Sequence, residues 1–249
     1  MELKINEGER VDDLQIRGYR IIQDPKRFCF GVDAVMLAHY AKVKPHERCL
    51  DLCTGTGIVP ILMHAINSED TSDVKYDAIE LQEESVEMAK RSVELNDLTL
   101  DVHVILGDVK EAANYYDAAS FQVVTVNPPY IEDNKGIKTE YEPKMIARHE
   151  IFLKLKDVIS SASYCLADKG RFYMIHKPQR LAEIICLMRE YKIEPKSLRF
   201  IHPYVDKEPV LVLIGGLKGG GQQMRVDAPL ILYKEQGVYT DEVSKIYRI

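Results

Sequence analysis

The sequence predicts an α/β domain in which seven strands form a mostly parallel sheet with an antiparallel edge, and helices cover both faces. Three observations predict it. Short apolar runs and amphipathic runs alternate from about Glu47 onward, the pattern of βαβ units. The run Phe121–Val126 (FQVVTV) is continuously apolar, as an interior parallel strand buried on both faces should be. No convincing helical pattern separates the last two strand candidates, Ser197–His202 and Val210–Ile214, so they are expected to pair antiparallel at an edge.

The elements follow in order. Arg48–Leu52 reads as the first core strand, followed by the turn Thr54-Gly55-Thr56-Gly57 and an apolar helix from Ile58 to about Ile66. Tyr76–Leu81 is the second strand. Gln82–Asn96 carries Val86, Ala89 and Val93 on one face at a helical period. Val102–Leu106 is the third strand, Val109–Tyr116 a short helix and Phe121–Val126 the fourth strand, which stops abruptly at Asn127-Pro128-Pro129-Tyr130. Residues 131–148, with Gly136, Pro143 and many charges, read as a loop. Ile151, Leu155, Val158, Ile159, Ala162 and Leu166 mark a long amphipathic helix. Arg171–His176, the helix Leu181–Tyr191 and the two final strands complete the sheet. Lys218-Gly219-Gly220-Gly221 is a flexible turn, and Pro229–Tyr233 is a candidate edge strand. Residues 1–45 are thus expected as an N-terminal extension packed on the core, and residues 46–249 as the α/β domain.

With 249 residues, 46% of them hydrophobic, the chain has ample material for a core, which excludes collagen-like, low-complexity and disordered classes. No run approaches the roughly 18 apolar residues of a membrane span, and MELKINEGER holds no apolar signal segment. A cytoplasmic protein with no membrane partner is expected, and a monomer. The five cysteines are odd in number and form no C-x-x-C pair, so neither a disulfide framework nor a metal site is expected. The net charge of -6 is uneven: residues 1–168 hold 19 Lys+Arg against 30 Asp+Glu, and residues 169–249 hold 14 against 9. An acidic protein can therefore still offer a basic face to a polyanion, although a dispersed solvated surface fits the count as well.

In doubly wound sheets, ligands lie beyond the carboxyl ends of the strands. Here the first such end reads Asp51-Leu52-Cys53-Thr54-Gly55-Thr56-Gly57, and its glycines permit a tight turn and close backbone approach. Glu80 ends the second strand, 23 residues beyond Gly57, where a carboxylate can accept from both hydroxyls of a ribose. Leu81 follows it. A dinucleotide fold wants a third glycine where Pro60 stands, and Asp51 at the strand tip would repel a pyrophosphate. It would suit the amino group or sulfonium of S-adenosylmethionine. Asp108, followed by Val109 after the third strand, can accept from an adenine amino group. Carboxylates at three successive strand ends favour S-adenosylmethionine over NAD.

Asn127-Pro128-Pro129-Tyr130 follows the fourth strand. Two prolines remove N–H donors and stiffen the backbone but keep their carbonyls. The segment offers the Asn127 side-chain oxygen and the Pro128 carbonyl to the two hydrogens of a planar NH2 group, and the Tyr130 ring for stacking. Such a nitrogen is a poor nucleophile because its lone pair is delocalised. Two acceptors pull it toward a tetrahedral shape and localise the pair, with orientation and preorganisation supplying the acceleration.

On these residues the sequence resembles the class I, Rossmann-like methyltransferases of the N6-adenine/N5-glutamine group, and most of all the bacterial tRNA1(Val) adenine-N6 methyltransferase family. Phe28-Cys29-Phe30-Gly31-Val32-Asp33-Ala34-Val35-Met36-Leu37, the Asp51–Gly57 turn, Asn127–Tyr130, Arg148-His149-Glu150, Pro229–Tyr233 and Tyr239-Thr240 carry the resemblance. It implies S-adenosylmethionine as methyl donor, adenosine 37 in a tRNA anticodon loop as acceptor, and N6-methyladenosine as product. It also implies that the segment around Phe30 and Asp33 covers the cofactor; Asp33 could equally cap the helix that follows. Cys53 departs from the glycine commonest at its position.

Glutamine methylation of a release factor would use the same chemistry, but such enzymes carry a separate N-terminal helical domain, for which about 45 residues leave little room. DNA adenine methylation and a non-catalytic RNA-binding module are the other readings. Lys177, Arg180, Arg189, Lys192, Lys196 and Arg199 are candidates for phosphate contact or for a solvated face. His64, His103, His176 and His202 have no metal-ligand spacing.

Overall fold

The computed structural model describes residues 4–27, 29–67, 73–130 and 153–248. A hairpin of β1 (Arg10–Asp13) and β2 (Arg20–Gln23) leads into helix α1 (Val32–Tyr40). The alternation anticipated from the sequence follows: β3 (Arg48–Leu52), α2 (Ile58–Asn67), β4 (Lys75–Glu80), α3 (Glu83–Leu95), β5 (Val102–Leu106), a 3-10 turn over Val109–Asn114, and β6 (Phe121–Val126). Beyond the segment 131–152 come α4 (Leu155–Cys165), β7 (Leu166–His176), α5 (Leu181–Glu190), β8 (Ile193–His202) and β9 (Leu211–Lys218). The chain continues through β10 (Arg225–Val226), β11 (Leu230–Ile231), the hairpin strands β12 (Tyr233–Glu235) and β13 (Val238–Tyr239), and α6 (Asp241–Tyr247).

Seven strands lie in the order β8-β9-β7-β6-β3-β4-β5. Neighbours from β7 to β5 are parallel, and β9 runs antiparallel between β7 and β8. The fold is therefore the Rossmann-like methyltransferase architecture, with one correction to the strand count. The main sheet holds nine strands, because β10 and β11 both add to β8, in parallel. Two-residue strands carry no readable alternation. β7 also starts five residues before the expected Arg171, since α4 runs directly into it at Leu166.

Alternate residues of the central strands feed two cores. Cys49 and Val123 pack with α1, α2 and α3 on one face, while Leu50, Leu52, Val124 and Val126 pack with α4 and α5 on the other. This is why β3 and β6 are apolar along their length. Asp51 and Thr125, in register with each other, are the buried polar exceptions.

Helix α1 is buried from Asp33 through Ala38, as an all-round apolar helix must be. It packs on α2, β7 and β9, and α6 closes over it. The C-terminal segment is held by four tyrosine rings in series: Tyr204 meets Tyr233 at 5.7 Å, Tyr233 stacks on Tyr239 at 5.1 Å, and Tyr239 stacks on Tyr247 at 5.3 Å. Thr240 caps α6, its hydroxyl accepting from the Val243 N–H.

Candidate active site

The strand order turns back at β3, flanked by β4 and β6, and a crevice for ligands opens beyond the carboxyl ends at such a switch. Leu52 pairs with Val126, so the turn after β3 and the Asn127 segment after β6 stand side by side.

The turn is built from left-handed residues: Cys53 has φ +61°, Gly55 +58° and Gly57 +80°. For Cys53 that conformation costs about 1 kcal/mol relative to an ordinary one, which explains the preference for glycine there. A Cβ on Gly57 would lie 3.2 Å from the Ala89 Cβ of α3, whereas one on Gly55 would meet nothing within 4 Å. One glycine lets helix and turn approach; the other leaves space above the turn. The Thr54 N–H donates to the Ile79 carbonyl at 3.1 Å. The Gly55 and Gln82 N–H groups each donate to one Glu80 oxygen at 3.0 Å. Each of those oxygens retains a lone pair for a further donor.

Asp51 is 2% exposed. Its Oδ1 accepts from the Thr125 hydroxyl at 2.6 Å. Asp51 Oδ2 and Thr54 Oγ1 are buried and complete no hydrogen bond among the described residues. Burial pushes the Asp51 carboxyl up from 3.8 to about 7, against the opposing influence of the Thr125 and Thr54 hydroxyls, with the charge of Glu80 adding to the rise. The Cys53 thiol is pushed well above its ordinary value by burial and then by the charges of Glu80, Asp51 and Asp108. Three strand-end carboxylates thus converge on this turn. Asp108 also caps the 3-10 turn, accepting from the Lys110 N–H at 2.9 Å. Leu81 is 49% exposed beside Glu80. The Val109 side chain is buried in the core, leaving its backbone as the part that can face a ligand.

Across the crevice, Asn127 Nδ2 donates to Asp33 Oδ2 at 3.1 Å, and the Tyr130 hydroxyl donates to Asn127 Oδ1 at 2.5 Å. The same hydroxyl lies 3.4 Å from Asp33 Oδ2. Burial and the Asp33 charge push the Tyr130 phenol well above its ordinary value. The ring meets His176 edge-on at 5.0 Å, with Lys177 Nζ 5.6 Å from its centre. Burial holds His176 at about 4, hence neutral near pH 7. Asp33 is not the helix cap: Gly31 occupies that position, with Asp33 in the first turn. Phe30 is anchored by its N–H donating to Gln23 Oε1 at 2.9 Å. No spacing in the sequence singles out His176; its place at the end of the strand next to β6 is the one signal that puts it beside Tyr130.

Phe28, the loop 131–148 and Arg148-His149-Glu150 lie outside the described residues. The six basic candidates do not form one surface. Lys177 and Arg180 follow β7 at the crevice end. Arg189, in the last turn of α5, and Lys192, just beyond that helix, lie at the opposite end of the sheet, near the start of β8. Arg180 pairs with Glu183, Arg189 with Glu194 and Arg199 with Glu242. No described helix is long and apolar enough to cross a membrane. Among the described residues no group of three or more His, Cys, Asp or Glu could hold a metal ion.

The strand order is that of the Rossmann-like methyltransferase fold, with acidic residues at its switch point. A family model for the methyltransferase small domain matches residues 31–191. The chain belongs to that family and is an S-adenosylmethionine-dependent methyltransferase. It is similar to the tRNA1(Val) (adenine(37)-N6)-methyltransferase of Aeromonas salmonicida (strain A449), 22% identical over 87% of each chain. It is also similar to the protein of the same name from Phocaeicola vulgatus, 27% identical over 74% of each. Among solved structures, a predicted O-methyltransferase, protein Atu636 from Agrobacterium tumefaciens, shares the fold with a TM-score of 0.69 and 24% identity, over 87% of this chain and 95% of that one. Geranyl diphosphate C-methyltransferase from Streptomyces coelicolor A3(2), in complex with Mg2+, geranyl diphosphate and S-adenosyl-L-homocysteine, shares it with a TM-score of 0.53 and 13% identity, over 75% and 78%.

The crevice fits the donor. Asp51 Oδ2, with no hydrogen-bond partner among the described residues, suits a cationic group, Glu80 suits a diol, and the open space over Gly55 and the exposed Leu81 suit a flat heterocycle.

Proposed function

We propose that this chain transfers a methyl group from S-adenosylmethionine to the exocyclic N6 of an adenine in RNA, adenosine 37 of a tRNA in particular. Residues 46–249 are the methyl-transferring domain, and residues 1–45 an extension that packs on it and contributes Phe30 and Asp33. The observation that carries the reading is Asn127, whose amide stands across the crevice from the Asp51–Gly57 turn with its oxygen turned to a replaceable hydroxyl donor. The names of the relatives support the choice of acceptor.

S-adenosylmethionine supplies an electrophilic methyl group. Asp51, Glu80, Leu81, Asp108 and the backbone of Cys53–Gly57 and Val109 bind and orient the donor, Asp51 meeting its positive charge. Asn127 Oδ1 and the Pro128 carbonyl accept the two amine hydrogens, bending the nitrogen toward a tetrahedral shape and localising its lone pair. The amine hydrogen takes the place that the Tyr130 hydroxyl holds in this structure. Pro128 and Pro129 fix that geometry, and the Tyr130 ring offers a stacking face for the base. Taking the base out of an RNA stack costs a few kcal/mol, and stacking on the ring returns about 1–3 kcal/mol.

The test is transfer from labelled S-adenosylmethionine to unmodified bulk tRNA and, separately, to a peptide-release factor, with the tRNA digested to nucleosides. Label in N6-methyladenosine is expected. Label confined to the protein would move the acceptor to glutamine.

A further inference from the structure

Asp33 sits in the first turn of α1, 94 residues before Asn127, and reaches it through space. A carboxylate only accepts hydrogen bonds, whereas a side-chain amide carries a donor at one end and an acceptor at the other. With Nδ2 donating to Asp33 at 3.1 Å, Asn127 must present Oδ1 on its other side, where the Tyr130 hydroxyl donates to it. Turned over, the amide would meet an incoming amine with a donor. The neighbouring sequence makes room for the carboxylate: a Cβ on Gly31 would stand 2.8 Å from Asp33 Oδ1. The helix carrying Asp33 is buried, with α2 against it and α6 closing over it.

We propose that Asp33 is a positioning residue that acts through Asn127, fixing the amide with its oxygen toward the substrate amine. Its negative charge also strengthens that oxygen as an acceptor while positive charge grows on the amine nitrogen. The Tyr130 hydroxyl keeps the acceptor satisfied until the substrate arrives. This differs from a role in holding the methyl donor, and it rests on the reading of Asn127 as the amine acceptor.

The test is Asp33→Asn, which keeps the shape and removes the obligate acceptor. Loss of one charge-assisted hydrogen bond predicts that kcat falls about 10- to 100-fold. KM for tRNA and Kd for S-adenosylmethionine, the latter measured by calorimetry, are expected to stay within about threefold, because neither contact depends on the amide's orientation. In an Asn127→Ala background the same change is expected to cost nothing further, since the two act as a unit. Gly31→Ala, which displaces the carboxylate while keeping its charge, is expected to lower kcat in the same sense and serves if Asp33→Asn fails to fold. An unchanged kcat, a loss confined to cofactor affinity, or additive losses in the double variant would overturn the inference. Wild-type protein that forms no N6-methyladenosine would overturn the proposed function instead, and the Asp33 comparison is then decided on whichever amine the wild type methylates.

Discussion

Asp51→Asn turns the burial of one carboxyl into a measurable slope of stability against pH. The group titrates at about 7 in the folded chain and at 3.8 when unperturbed. Between those values the folded chain keeps a proton that the unfolded chain has released, so stability falls as pH rises from 3.8 and levels off above 7. The whole span amounts to about 4 kcal/mol, of which about 2.6 kcal/mol falls between about pH 5 and about pH 8. The asparagine keeps the Thr125 hydroxyl bond and removes the titration, so other titrating groups cancel between variant and parent. Urea unfolding of both proteins, followed by circular dichroism at successive pH values, reads the difference. The variant's stability relative to the parent is expected to rise by about 2–3 kcal/mol across that range. A difference that stays constant would refute the account of Asp51 as a buried group without a full set of partners. Binding should run the other way. A cation beside Asp51 favours the ionised form, so affinity for S-adenosylmethionine is expected to climb about tenfold per pH unit between about 5 and 7 in the parent and to stay flat in the variant.

Three further outcomes are expected. Asn127→Ala should lower turnover about 100- to 1,000-fold, the cost of one preorganised hydrogen-bonding group, while calorimetry finds cofactor affinity within about threefold of the parent. Undiminished turnover would remove Asn127 from the chemistry. Lys177→Glu should weaken tRNA binding and flatten its salt dependence, whereas Lys192→Glu at the far end of the sheet should leave both unchanged in filter binding at several salt concentrations. Equal losses would contradict a crevice-centred RNA site. Gly57→Ala combines a φ of +80° with a 3.2 Å approach to Ala89, and thermal unfolding should show a loss of about 1–3 kcal/mol.

The parallel strands were legible because strands buried on both faces must be largely apolar, as β3 and β6 are, and the antiparallel edge because no helical pattern separates β8 from β9. The placement of Asp51, Glu80 and Asp108 at or just beyond successive strand ends was legible because acids there stand out against apolar runs. The contact from Asp33 to Asn127 was not, since no periodicity links residues 94 positions apart. Nor was the scattering of the basic residues between 177 and 199. Close in sequence, they flank or lie on α5 and β8; α5 runs the length of the sheet between Lys177 and Lys192, so these two finish at opposite ends. The tyrosine series fails for the same reason: Tyr204 and Tyr233 meet only because β11 returns to the side of β8.

The placement of β9 between β7 and β8 has a consequence for a chain emerging from the ribosome. By residue 177 the nascent polypeptide contains Asp33, Asp51, Glu80, Asn127, Tyr130 and His176, yet the outer edge of β7 still faces solvent. The strand made next, β8, does not cover it; that edge waits for residues 211–218 to fold back inside β8. An uncovered edge next to a completed parallel core is a template for pairing with other chains, and pairing that spans many residues is slow. The matched family segment ends at residue 191, before β9 exists. A fragment cut at that boundary would hold the proposed chemistry and lack the strand that keeps it from sticking to its neighbours.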